Sequence, residues 1–266
     1  DYRVKMKKIL QAILLILVLT FIGIRVYLYH PLPKYSGKKI IKALQKPVDV
    51  FTDEYGVPHI IADNETDLFF AAGYIAARDR LFQMSMVAFA VRGELSSALG
   101  DDFIGSDIYL RTWRINAVSK KIEKNLDKDT YHILSTFCDG INMRIRELGK
   151  NLPVEFKIMG IKPLLWEPSD VIGYARMMAH ELQSSWKTEV VYGAIVENFG
   201  LEKFKEIYPN YSKEQPTIAH LLNNNNLTPL YTSVMKNEEK VRDLLGFSSP
   251  FYGSNNWVIS GDKTES

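Results

Sequence analysis

From Ile9 to Ile24 the chain carries a nearly unbroken apolar run, interrupted only by Gln11, Thr20 and Gly23 and continued past Arg25 through Val26, Tyr27 and Leu28. About 20 such residues are enough to cross a bilayer as a helix, and a buried core helix fits this length poorly. Lys5, Lys7 and Lys8 precede the run, so it also has the basic start and apolar body of a secretory signal. The residues that follow, Tyr29-His30-Pro31-Leu32-Pro33, are bulky and proline-bearing where cleavage needs small ones. An uncleaved signal anchor over residues 1–30 is therefore expected, with the domain it tethers on the extracytoplasmic side, periplasmic or at the cell surface. Lys34, Lys38, Lys39 and Lys42 lie beyond the run and weaken the charge asymmetry that sets orientation.

The remainder has ample means to build a core, since 46% of the 266 residues are hydrophobic and 12% aromatic. Its 33 basic and 31 acidic residues are interspersed, which leaves no extended basic face and argues against a nucleic-acid partner. Cys138 is the only cysteine, so no internal disulfide or cysteine metal cluster can form, and its helical setting predicts a buried structural thiol. The five histidines show no zinc-binding spacing.

Residues 31–46 form a polar, lysine-rich connector. Val48 to Ala62 then predicts two short strands around a Tyr55-Gly56 turn, with Pro58 near an edge. Asn64 or Thr66 can cap a long helix from Asp67 to about Leu99, in which Phe70, Tyr74, Ala77, Leu81, Met84 and Ala88 recur at helical spacing. Further helices are expected at about Asp129 to Leu148, Pro168 to Glu181, Thr188 to Phe199 and Leu201 to Tyr208. Residues 212–253 are polar and weakly patterned, with Asn223 to Asn226 in a row, and predict an exposed, mobile spacer.

The spacer ends at Gly253-Ser254-Asn255-Asn256-Trp257-Val258-Ile259-Ser260-Gly261. By itself this is turn chemistry leading into a short strand. It is also a place where backbone cleavage would create an N-terminal serine. Such a residue carries a nucleophilic hydroxyl and an amine of pKa about 7.7–8.0, basic enough to take the hydroxyl proton. While Ser254 is bonded to Gly253 its nitrogen is an amide and cannot act as a base, so the uncut chain would be a zymogen.

Four blocks occur in order: Tyr55-Gly56-Val57-Pro58-His59-Ile60, the stretch Ala72 to Met84 (Ala-Gly-Tyr-Ile-Ala-Ala-Arg-Asp-Arg-Leu-Phe-Gln-Met), Arg92-Gly93-Glu94-Leu95, and Gly253-Ser254-Asn255-Asn256-Trp257-Val258. Together they resemble the penicillin acylase family of N-terminal-nucleophile hydrolases, over about Pro47 to the C-terminus. The resemblance implies an α+β class and, in the complete protein, a four-layer αββα sandwich of which this chain supplies a mostly helical part with few strands. It implies a precursor cut into an α chain (residues 47–211), a spacer (212–253) and a β chain beginning at Ser254, the nucleophile, with Gly253-Ser254 as the self-cleaved bond. Residues 254–266 would be only the start of that β chain, whose remainder supplies the oxyanion donors. These 266 residues alone would then not be a competent catalyst, as a fragment or as half of a split gene.

In the same resemblance Met178 to Glu189 corresponds to the stretch that lines the acyl pocket and ends in a calcium-ligand glutamate. Met178, Glu181, Leu182 and Trp257 become candidate pocket residues, and Glu189 the candidate ligand of a structural calcium ion. Glu189 equally suits a solvated glutamate near a helix start. Penicillin-specific members carry an arginine-phenylalanine pair where this chain has Glu181-Leu182, which argues against penicillin G as substrate. Arg78, Asp79 and Arg80 suit a structural ion-pairing role, with neighbouring charges on different helix faces. The expected function is hydrolysis of linear, non-peptide amide bonds in a small molecule, with signalling lactones or fatty-acyl amides as another substrate class. The alternative is a non-catalytic, membrane-tethered helical module that binds a partner.

Overall fold

The computed structural model describes residues 2–29, 32–183, 185–208, 228–246 and 259–260. Two units divide the chain, Asp1–Met177 and Met178–Ser266.

In the first unit, α1 (Tyr2–Tyr29) contains the apolar run, and Tyr2–Leu28 is long and apolar enough to cross a membrane, with none of it buried. The same properties suit a signal sequence. Strands β1 (Asp49–Thr52) and β2 (Pro58–Ile61) pair antiparallel, with Phe51 opposite His59 and Val50 opposite Ile60. The Asp53 carboxylate closes their turn by accepting hydrogen bonds from the Tyr55 and Val57 amides at 3.0 and 2.8 Å, and Gly56 provides the positive φ of 81° that the reversal needs.

Helix α2 (Glu65–Arg92) starts at Asn64, whose side chain accepts from the Asp67 amide. The Asp67 carboxylate, only 1% exposed, in turn accepts from the backbone amides of Gln45 and Lys46, both at 2.9 Å. Burial works against its charge, yet these bonds and one from Asn64 hold Asp67 below the usual aspartate range. The lysine-rich connector is thus fastened to the first turn of α2. Lys39 adds a second tie by donating to Tyr74 at 2.6 Å and to Glu147.

The single long helix expected as far as Leu99 is two. Gly93, at φ 64°, ends α2 in a left-handed cap, and α3 (Leu95–Leu99) begins anew. Helical spacing continues across Gly93, so the break is set by cap geometry. After it come a 3₁₀ turn at Asp101–Phe103, α4 (Ile104–Thr112) and α5 (Ile115–Glu123), none of which was anticipated. Asp107 of α4 satisfies the free amides of α3 by accepting from Leu95 and Ser96 at 2.7 and 2.9 Å. A kink at Arg80 (φ −136°) interrupts α2. The adjacent Arg78 and Asp79 pair side by side, at 2.8 and 2.9 Å, instead of pointing to different faces.

Helix α6 (Lys128–Leu148), capped by Asp127, crosses α2 at backbone contact. A Cβ on Gly73 would lie 2.0 Å from the Phe137 carbonyl oxygen, and one on Gly140 2.0 Å from the Phe70 carbonyl oxygen. Around this crossing Ala77, Leu81, Ala88, Cys138 and Ile141 form the core, joined by Leu148, by Phe156 of α7 (Val154–Met159) and by Trp166. Phe82 meets Phe156 edge-to-face at 5.3 Å. The Cys138 thiol is buried here, and burial together with nearby carboxylates pushes its pKa up to about 12, as suits a structural thiol.

Helix α8 (Pro168–Leu182) begins in this unit and ends in the second. Its start is held by Arg92, whose guanidinium donates to both Asp170 oxygens at 2.8 and 2.7 Å. Asn142 adds a backbone-like clamp on Trp166, accepting from its amide and donating to its carbonyl, each at 2.8 Å.

The second unit continues with α9 (Ser185–Ile207) and α10 (Thr228–Leu245). The two helices expected at 188–199 and 201–208 are one element with a break at Gly200, where φ is 81°. Within the spacer the expected mobile segment contains α10, which ends at Gly246 (φ 79°).

Because the α2–α6 crossing is backbone against backbone, Gly140→Ala is expected to destabilise the protein by about 1–3 kcal/mol. Gly160→Ala, where nothing lies within 4 Å but φ is 67°, reports backbone strain alone. Urea denaturation of both variants followed by circular dichroism separates the two effects.

Candidate active site

The residues expected to carry the chemistry fall into two groups. Gly253, Ser254 and Trp257 lie outside the described residues. Met178, Glu181, Leu182 and Glu189 are on α8 and α9.

Met178 is half-buried, Glu181 is largely buried with its side chain 12% exposed, and Leu182 is 81% exposed. The last turn of α8 thus turns its carboxylate inward and its leucine outward. In this chain Leu182 packs no pocket. Glu181 is met by Arg242 of α10, whose guanidinium donates to Glu181 Oε2. Arg242 also stands 3.5 Å from Glu238, one turn earlier on α10, and Glu238 is itself buried and bonded to Lys187 of α9 at 2.6 Å. Two carboxylates and two cations from three helices therefore alternate in one cluster. Val241, next to Arg242 along α10, is 2% exposed. His180 lies on the same turn as Glu181 and stacks on Trp186, with centroids 5.6 Å apart.

Burial is the first influence on both Glu181 and His180. It raises the Glu181 pKa above the ordinary glutamate value, with Arg242 and Lys187 pulling it down and Glu238 adding to the rise. It lowers the His180 pKa, favouring the neutral ring, while Glu238 opposes and Lys187 reinforces the effect.

Glu189 is exposed on α9. Among the described residues no three His, Cys, Asp or Glu side chains gather to hold a metal ion. Calcium takes about six to eight oxygens, so Glu189 could supply only one part of a calcium site, and the described residues do not complete it.

Arg242, Glu238 and Lys187 were not foreseen as members of this cluster. Their signal was present: Val234, Glu238, Val241 and Leu245 recur at three- and four-residue intervals, one face of a helix. The charged stretch Lys236 to Lys240 obscured it.

The order of blocks agrees with comparison to known proteins. The penicillin amidase family model matches residues 47–266, and the chain belongs to that family. Penicillin acylase 2 proenzyme of Pseudomonas sp. (strain SE83) is 32% identical over 155 residues, 58% of this chain and 20% of the relative. Penicillin G acylase of Escherichia coli is 37% identical over 130 residues, 47% of this chain and 15% of that protein. The acyl-homoserine lactone acylase QuiP of Pseudomonas aeruginosa is 24% identical over 238 residues, 88% of this chain and 28% of the relative. This chain therefore spans at most about 28% of these relatives' length. Among solved structures, a thermostable penicillin G acylase from Alcaligenes faecalis superimposes with a TM-score of 0.54 and 26% identity, covering 65% of this chain and 96% of that one. The fold is accordingly that of a penicillin acylase, represented here by a mostly helical portion with one strand pair.

The cluster yields a pH-dependent expectation. In Arg242→Ala, Glu181 loses the cation that pairs with its carboxylate, and amide hydrogen exchange of α10 should accelerate about tenfold or more. As pH falls into the raised Glu181 range the carboxylate takes a proton, His180 gains charge, and the excess exchange should shrink. A rate excess that is constant with pH would rule out the Glu181–Arg242 pair as its cause.

Proposed function

We propose that this chain is the front part of a self-cleaving amide hydrolase, with Ser254 as its N-terminal nucleophile. The observation that carries the reading is the family match over residues 47–266, which runs through Gly253-Ser254-Asn255-Asn256-Trp257. In processing, Ser254 Oγ attacks the Gly253 carbonyl carbon. The peptide C–N bond breaks, an ester replaces it, and the nitrogen leaves as the serine amine. Water then hydrolyses the ester, giving a Gly253 carboxylate and a free Ser254 α-amine.

In turnover that amine accepts the Oγ proton as the oxygen attacks a substrate amide carbon. The proton passes to the departing amine, an acyl-serine remains, and water attacks it to release the acid. The tetrahedral oxyanion needs preorganised donors, each worth about 2.7–4 kcal/mol in the transition state, which a longer β chain would supply. Met178, Glu181 and Trp257 would shape the acyl side of the pocket, Leu182 would be covered by that β chain, and Glu189 would give one oxygen to a structural calcium. Residues 212–253 are the excised spacer, and α1 holds the domain at the outer side of a membrane.

The substrate class is a small molecule with a linear amide. Acyl-homoserine lactones are a second candidate, favoured by the 88% of this chain that the QuiP match covers.

Expression from the native locus followed by intact-mass analysis and N-terminal sequencing tests the reading. The expected result is a chain beginning Ser-Asn-Asn-Trp, and Ser254→Ala should abolish both this cut and amide hydrolysis, by 10³-fold or more for a lost nucleophile. An uncut, inactive wild-type protein would instead support the binding module.

A further inference from the structure

Glu181 is an inward-facing carboxylate whose hydrogen-bonded cation, Arg242, is supplied by α10. Under the proposed function α10 belongs to the excised spacer, so maturation would remove that cation and leave the acid behind. Glu238 leaves with it, which also frees Lys187 from its 2.6 Å partner. The mature site would then hold a carboxylate that has lost its hydrogen-bonded cation and faces the volume that a guanidinium had filled. A carboxylate deprived of its ion-pair partner favours a cation that restores the pair.

We propose that Glu181 recognises a positively charged group, an ammonium or guanidinium, on the acyl arm of the substrate, and that Arg242 occupies its place in the uncut chain. This rests on the acylase reading for the word substrate, but the cation position itself is a property of the α8–α10 contact. Among the described residues, Lys187 is the competing cation left behind. Its ammonium lies 5.8 Å from the Trp186 ring centre and its side chain is 31% exposed, so it has a solvated alternative to Glu181. Glu181 would thus discriminate by charge against neutral and, more strongly, anionic acyl arms, since an acid placed beside it adds a like charge.

The cation position can be tested without catalysis. In a Ser254→Ala background, which keeps the chain whole, Arg242→Ala opens the position. Calorimetric titration should show 6-aminohexanamide binding at least tenfold more tightly to this protein than to its Arg242 parent, with no such gain for hexanamide. Adding Glu181→Gln should erase the gain. Arg242→Gln repeats the measurement with a longer side chain should the alanine variant lose α10. Absence of a gain overturns the proposal, and so does a gain that survives Glu181→Gln, which would assign the cation to Glu238. In the processed enzyme, kcat/KM for the 6-aminohexanoyl p-nitroanilide should exceed that for the hexanoyl analogue by about tenfold, and this ratio should fall towards one in Glu181→Gln and rise in Lys187→Met. Equal hydrolysis of the two by wild type also overturns it. Hydrolysis of neither defeats the amidase reading, while the titration still decides the cation position.

Discussion

The contact on which the first unit depends is the crossing of α2 and α6 at Gly73 and Gly140. Each glycine faces a carbonyl of the other helix at a distance that admits no Cβ. Two helices that touch through their backbones have little freedom to slide, because neighbouring side chains must interlock around the contact. The register so fixed places Tyr74 against Glu147 at 2.7 Å and buries Cys138 and Ile141 against the α2 face. It also aims the remainder of both helices at α8. Arg92, at the end of α2, reaches Asp170, and Asn142 of α6 holds Trp166. Val91 packs so closely on α8 that a Cβ at Gly173 would lie 2.2 Å from its methyl group. The entry of α8 is therefore determined three times over, and Met178 to Leu182 follow on the same helix.

A helical chain with many short connections must satisfy numerous helix-terminal amides, and this one does so with buried carboxylates. Asp67 serves the connector, Asp107 the start of α3, and Asp170 the Glu167 amide together with the Arg92 guanidinium. Each offsets its desolvation with donors that are part of the architecture. These acids would look like functional candidates on burial alone, but every oxygen is engaged by groups that stay in place. Glu181 differs in kind, because its strongest partner sits on another helix, within a segment the family resemblance marks for removal.

Much of this organisation was legible in the sequence. Helical spacing from Phe70 to Ala88, the cap at Asn64, and the turn at Gly56 are local signals that the fold respects. The Arg92-Gly93-Glu94-Leu95 block was visible as a motif, and the structure supplies its meaning: Arg92 clamps α8, Gly93 takes a left-handed cap, and Leu95 is fully buried. The losses came where tertiary contacts overrode local pattern. Apolar spacing ran on past Gly93, and only the competition of Asp107 for the Leu95 and Ser96 amides reveals a new helix there. In α10 the polar composition masked a narrow buried face, since two of the residues on it, Glu238 and Arg242, are charged and find their partners on α8 and α9. Inward Glu181 and outward Leu182 could not be told apart by type, because burial here follows charge pairing and not hydrophobicity.

The character of that narrow face bears on the excision proposed for residues 212–253. A segment that covers a site and is later released must leave behind a surface that tolerates water. An apolar contact of the same size would expose a patch prone to association, whereas paired charges can be rehydrated or paired anew at modest cost. Between α10 and its neighbours the polar residues Glu181, Lys187, Glu238 and Arg242 make the directed contacts, with Val241 as the buried apolar member. Such an interface is specific, because four alternating charges accept one register of α10 and repel a displacement that brings like charges together. It is also releasable, because solvent and substrate can each take over the interactions it loses. A contact built mainly from leucines would meet neither requirement, and under the proposed excision this is the physical reason to regard the charges on α10 as part of the proposed site.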